Sequence, residues 1–158
     1  LPSTKVKRDA RDALNQTTET KMNALSLTPD ATNEEINIAK ALVEKLLNQA
    51  LAQINQDKTT NQVNLTEQQG VQSINDVQVN VVKKNDARAA ITNAEAIKNQ
   101  LFNNNGEATT EEKDDAIQQL KTILQNALNA LQSDQTNQQV DQTENQSIED
   151  INLSLIHI

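Results

Sequence analysis

The chain has 158 residues, a formal net charge of −8 and no cysteine, with Phe102 its only aromatic and Met22 its only sulfur. An acidic chain with no basic stripe or stacking aromatics is unsuited to nucleic acid and poorly suited to anionic membranes, and no apolar run approaches the roughly 20 residues a membrane span needs. The missing cysteine excludes disulfides, thiolate metal sites and cysteine nucleophiles, while leaving the compartment open.

The chain starts at Leu1 without an initiator methionine and reads as a fragment. A first helix is predicted from about Lys5 to Leu25, with apolar or small residues at Val6, Ala10, Ala13, Leu14, Thr17, Ala24 and Leu25 spaced to lie along one face. The turn Thr28-Pro29-Asp30 follows. A second helix of about 26 residues opens at Thr32 with Glu35 as a capping box, and Glu34 and Glu35 favour its positive end. Its stripe is Ala39, Val43, Leu46, Ala50 and Ile54, widened by Leu47 and Leu51 so that it can meet two partner helices. A shorter third helix opens with Thr59 and Gln62 as another capping box and buries Val63, Val71 and Ile74. Gly70 sits inside it at a cost of about 1 kcal/mol relative to alanine, a position that calls for close helix approach. The β-branched run Val77 to Lys84 reads as extended chain.

Everything then recurs 77 positions later without a gap. Asp86-Ala87-Arg88 repeats Asp9-Ala10-Arg11, and Ala108-Thr109-Thr110-Glu111-Glu112 repeats Ala31-Thr32-Asn33-Glu34-Glu35. The fourth helix takes its stripe from Ala87, Ala90, Ile91, Ala94, Ile97 and Leu101. The turn Asn103-Asn104-Asn105-Gly106 replaces the proline turn, and the fifth helix opens with Thr109 and Glu112. Ala116, Leu120, Ile123, Ala127 and Leu131 repeat the earlier intervals, with Leu124 and Leu128 beside them. The sixth helix uses Thr136 with Gln139, then Val140, Ile148 and Ile151, and carries Ser147 at the place of Gly70. A fixed long period means one supersecondary unit copied in tandem. The expected fold class is all-α, two tandem three-helix bundles forming an elongated rod, each with a thin aliphatic core supplemented by its neighbours. The first repeat spans 1–76 with its start clipped, an extended linker 77–84, and the second repeat 85–152.

After Asn152 the period fails. Leu153-Ser154-Leu155-Ile156-His157-Ile158 resembles the translation of a sequencing adapter, so 153–158 stand outside the fold argument and His157, the single histidine, drops out of any site.

The helix start Asp9-Ala10-Arg11, the second-helix opening Ala31-Thr32-Asn33-Glu34-Glu35 and the third-helix pattern Thr59 to Val63 ending in Ile74-Asn75 together carry a resemblance. The chain resembles a tandem repeat, known only as a domain of unknown function, of giant staphylococcal wall-anchored surface proteins. These comprise extracellular-matrix-binding homologues and related biofilm-associated proteins. The linker departs from the family pattern, with Val79 and Val81 where proline is common. The resemblance implies an extracellular helical segment of a much larger cell-wall-attached protein, and it supplies no catalytic or ligand-binding residues. The opening Leu1-Pro2-Ser3-Thr4 looks like a wall-sorting signal, but Lys5 replaces the required glycine and no apolar span follows.

No enzymatic chemistry is expected. Ser3, Ser26, Ser73, Ser133 and Ser147 are read as turn or polar-face residues without a base, and the pairs Glu111-Glu112 and Asp114-Asp115 as a solvated helix start. Catalytic, cofactor and metal residues are therefore all set at none, with no cofactor. The Asn/Gln-rich positions fall on polar helix faces, and Lys83-Lys84 is too short to form a basic patch. Two functional readings stand. In the first, the repeats are spacers in the stalk of a Gram-positive surface adhesin, their faces polar and free of patches and their partners the flanking repeats. In the second, they themselves bind a host matrix or plasma protein, which calls for aromatic or arginine anchors that Phe102, Arg8, Arg11 and Arg88 supply poorly. Contact between like rods on neighbouring cells is disfavoured by their shared acidity.

Overall fold

The computed structural model describes all residues, 1–158. It contains six helices and no strand: α1 (Thr4–Ser26), α2 (Asn33–Gln56), α3 (Thr60–Asp76), α4 (Lys83–Asn103), α5 (Thr110–Ser133) and α6 (Asn137–Leu153). The chain divides into two compact units. One comprises Leu1–Pro29 with Glu34–Asn80; the other comprises Val81–Ile158 and also takes in the short segment Asp30–Asn33.

The first unit has its own core. Ala10, Leu14 and Leu25 of α1 meet Ala39, Val43, Ala50 and Ile54 of α2 and Val63 and Ile74 of α3, with Val77 closing the end. The second core is built from Ala87, Ile91, Phe102, Ala116, Leu120, Ala127, Leu131, Val140 and Ile151. Each of these nine stands 77 positions after a member of the first core. The register is kept although the side chains differ: Leu25 becomes Phe102, and Val43 becomes Leu120. Phe102 is 6% exposed and Leu25 4%, so the one aromatic ring is a core residue, as the comparison of the two copies predicts.

The helix ends follow the predicted chemistry where α3, α5 and α6 begin. Thr59, Thr109 and Thr136 accept from the backbone N–H three residues on, and Gln62, Glu112 and Gln139 reach back to the cap, completing three capping boxes. Helix α1 is capped by Ser3, whose Oγ accepts from the Val6 N–H at 3.1 Å. The two inter-helix turns solve one geometric problem in different ways. Thr28 donates its hydroxyl to the Leu25 carbonyl, closing α1, and Asp30 takes φ 65, the only left-handed residue in the chain. At the register position of Thr28, Asn105 instead accepts from the N–H groups of Glu107 and Ala108 ahead of α5.

Gly70 is where α3 comes closest to its neighbours. A Cβ built there would lie 2.7 Å from Leu14 Cδ2 and 3.1 Å from the Ala50 Cβ, inside normal contact distance. In the second unit, Ser147 holds the equivalent position and is itself buried, so it is not the polar-face serine the sequence implies. Its register partners are Ala127 and the β-branched Ile91 in place of Leu14.

Two expected stripe residues face away from the core. Ile97 and Leu101 are 54% and 60% exposed, while Glu95 and Phe102 are buried on the core side of α4. At 3.6 residues per turn, Ile97 lies about 120° around the helix from Ile91, whereas Glu95 is nearly in line with it. In α1, likewise, Thr18 rather than Thr17 is the buried threonine, and Ala24 is exposed. The break in sequence identity after Asn152 has no structural counterpart at Ile156, which packs on the second core 77 positions after Val79 packs on the first.

Candidate functional site

The polar contacts that repeat most faithfully lie at helix ends. No helix carries a basic residue in its own last turn. The missing cation comes from a neighbouring helix instead. Lys7 of α1 donates to the Asn55 carbonyl at the end of α2, and Lys84 of α4 donates to the Gln132 carbonyl at the end of α5, each at 3.2 Å. Lys21 reaches the Asn75 carbonyl ending α3 at 2.7 Å, and Lys98 reaches the Asn152 carbonyl ending α6 at 2.9 Å. An ammonium on an orphan carbonyl satisfies the acceptor and offsets the negative end of the helix dipole.

A second device joins consecutive helices. Asp57, 5% exposed just beyond α2, accepts from the Thr66 hydroxyl of α3 at 2.7 Å and from Gln53 Nε2 at 2.9 Å. Asp134 accepts from the Thr143 hydroxyl at 2.6 Å in the same way. Sequence reasoning passed over this pair, although both residues recur at the 77-residue spacing; a threonine nearly two turns into a helix carries no local sign of a long-range partner.

The second unit also holds a bidentate ion pair. Asp30 accepts from both terminal nitrogens of Arg88 at 2.6 Å, a bidentate arrangement that depresses the aspartate below its ordinary value of 3.8 and raises the guanidinium. Nearby, the Asn33 N–H donates to the Gln135 carbonyl at 2.8 Å. Lys83 pairs with Asp141 at 2.5 Å, which raises the ammonium through hydrogen bonding. The two lysines that look like a short basic run are thus separately engaged, Lys84 in helix capping and Lys83 in an ion pair.

An open groove of about 740 Å³ lies between α5 and α6. Ile123 and Ala127 contribute its apolar part, and Asn126, Gln142, Glu149 and Asp150 its polar part. Its lining has no lysine, arginine or histidine, and Asp150 accepts from the Gln146 side-chain amide at 3.0 Å. Thr143 is engaged by Asp134, and Ser147 is buried. Of the other serines, Ser3 caps α1, Ser26 donates to the Met22 carbonyl, and Ser73 and Ser133 lie on exposed faces. Glu112 is committed to the α5 capping box, while Asp114 and Asp115 are exposed. His157 is exposed too, and no group of three or more carboxylates and histidines gathers in a way that could hold a metal ion. Arg8 and Arg11 remain at the start of α1, Arg11 bonded to Asn55 Oδ1 at 2.9 Å. No helix is long and apolar enough to cross a membrane.

The faces are not wholly polar, contrary to the patch-free surface inferred from sequence. Ile38 and Leu42 are exposed one turn apart on α2, and Ile97 and Leu101 one turn apart on α4. The pairs do not correspond: the register equivalents of Ile38 and Leu42 are Asp115 and Gln119, and those of Ile97 and Leu101 are Thr20 and Ala24.

With the duplicated architecture in view, similarity to known proteins can be placed on it. The profile of the family described as Domain of Unknown Function (DUF1542) matches residues 6–82 and again residues 83–158. The chain belongs to the DUF1542 family. Its two DUF1542 repeats are similar to the extracellular matrix-binding protein ebh of Staphylococcus aureus strain MRSA252, with 25% identity over 147 residues, covering 93% of this chain and 1% of that protein. Extracellular matrix-binding protein EbhA of strain Newman aligns with the same identity and coverage of the chain, over 4% of its own length. The ebh protein of strain NCTC 8325 does so over 2%. The DUF1542 pair thus spans a few hundredths of the length of these relatives. No solved structure matches it.

Proposed function

We propose that the two repeats are a length of stalk in a large surface protein, without enzymatic activity, and that they act by occupying distance. The observation that carries this reading is an internal contrast. Nine core positions, the four capping lysines and both Asp–Thr ties recur at the 77-residue spacing, whereas the exposed apolar pairs do not. A repeat whose task is to bind would be expected to duplicate its binding face. What is duplicated here is the internal framework. Helices of 24 residues would give each repeat about 4 nm of length when stacked end to end. The relatives' names supply the context of an extracellular, matrix-facing protein, and wall attachment would come through the parent chain.

The competing reading, adhesion by the repeats themselves, draws on Ile97 and Leu101, which form an exposed apolar step on α4. Surface-immobilised two-repeat protein separates the two. The spacer reading expects no saturable binding of fibronectin, fibrinogen or immunoglobulin at micromolar concentration, together with small-angle scattering from an elongated particle. Saturable binding abolished by Ile97→Asp with Leu101→Asp would overturn it.

A further inference from the structure

The loop joining α4 to α5 contains the only Asn–Gly step in the chain, Asn105-Gly106. Gly106 is exposed and carries no side chain to shield its backbone nitrogen, and the space where a Cβ would stand is open to 4 Å. Asn105 Oδ1 accepts from the Glu107 N–H at 2.9 Å and the Ala108 N–H at 3.0 Å. Two donors on one carbonyl oxygen draw electron density from Cγ and stabilise an oxyanion forming there. Every other asparagine precedes a residue with a side chain, and most lie within helices, where the next N–H is held by a backbone carbonyl.

The geometry points to Asn105 as a site of spontaneous covalent modification: deamidation through a cyclic imide, with water as the co-reactant. The Gly106 amide nitrogen gives its proton to water or hydroxide and forms a bond to Asn105 Cγ. The Cγ–Nδ2 bond breaks, and Nδ2 takes up a proton from solvent and leaves as ammonia. Water then opens the five-membered imide at one of its two carbonyls. One opening restores the normal backbone with an aspartate at position 105; the other routes the chain through the side-chain carboxyl as isoaspartate. Each product adds one negative charge. The aspartate keeps acceptors for Glu107 and Ala108 and places its charge ahead of α5, where the helix dipole favours it. The isoaspartate lengthens the backbone by a methylene and moves the acceptor away.

The first repeat is immune. Its equivalent step is Thr28-Pro29, which has no side-chain amide and no proton on the proline nitrogen. The full chain therefore carries its own internal control. After incubation in mildly alkaline buffer at body temperature, proteolysis and mass spectrometry should find a gain of about one mass unit confined to the peptide holding Asn105. Both isomeric products should be present, and the rate should rise with pH. Gly106→Ala, for which the structure has open space, should retain the helical circular-dichroism spectrum and slow the reaction by on the order of tenfold. Asn105→Gln should suppress it. The proposal is overturned if Asn105 does not change, if the gain is spread evenly over the other asparagines, or if folded Gly106→Ala reacts at the parental rate.

Discussion

Thr18 is buried at 8% exposure, and its hydroxyl has no hydrogen-bond partner. A hydroxyl taken from water without a replacement bond costs about 1–3 kcal/mol. Thr18→Val keeps the branched shape and removes the unsatisfied group, so it should stabilise the first unit by about 1 kcal/mol and raise its melting temperature by several degrees. A thermal melt followed by circular dichroism checks this; a lowered midpoint would mean that the hydroxyl has a partner in solution. The equivalent Glu95 in the second unit is also buried, with the Asn99 side-chain amide at 3.4 Å, so the position is polar in both copies. Gly70 is a case in which the sequence spoke clearly. A helix-interior glycine implies close approach, and Leu14 and Ala50 supply it.

Between elements, the ties made by Asp57 and Asp134 set how one helix hands over to the next. Asp57→Ala leaves the half-buried Thr66 hydroxyl without its acceptor and should cost about 1–2 kcal/mol in a denaturant titration. Thr66→Val should cost no more than that, since it removes the donor along with the need for it. An Asp57→Ala variant as stable as the parent would show that the tie is incidental. The start signals of α3, α5 and α6 were legible because a capping box is local, three residues from end to end. The Asp–Thr ties and the lysines that cap a different helix were not, because their partners lie 9 to 54 residues away and are set by packing. Ile97 and Leu101 misled for a related reason. Spacings of three and four can be threaded onto α4 by more than one route, and the choice belongs to the buried Glu95 and Phe102, whose polar member no hydrophobic pattern would select.

For the molecule as a whole, acidity governs behaviour in low pH. The aspartate of the Asp30–Arg88 pair is depressed, first by its hydrogen bonds to the guanidinium, so the folded state holds fewer protons there than the unfolded chain. Its contribution is therefore complete above the ordinary value of 3.8 and is lost as pH falls through the lower folded value. Asp30→Asn should be less stable than the parent at neutral pH, and the gap should close in acid, as read by urea midpoints across a pH series. A gap independent of pH would show that the pair does not titrate with folding. The period of 77 residues made the number of units and the fold class readable at once, since a core position identified in one copy is tested by its twin.

The exact correspondence of the nine core positions has a genetic consequence. A crossover that spliced α4 of the second copy to α2 and α3 of the first would set Ile91 against Val43 and Val63, aliphatic facing aliphatic in unchanged register, with Gly70 leaving room; the reciprocal splice would press Leu14 onto the Cβ of Ser147. The first hybrid would inherit a complete interior. Such a gene can gain a whole copy by recombination through a product whose interior keeps its register, while the design of each unit stays fixed.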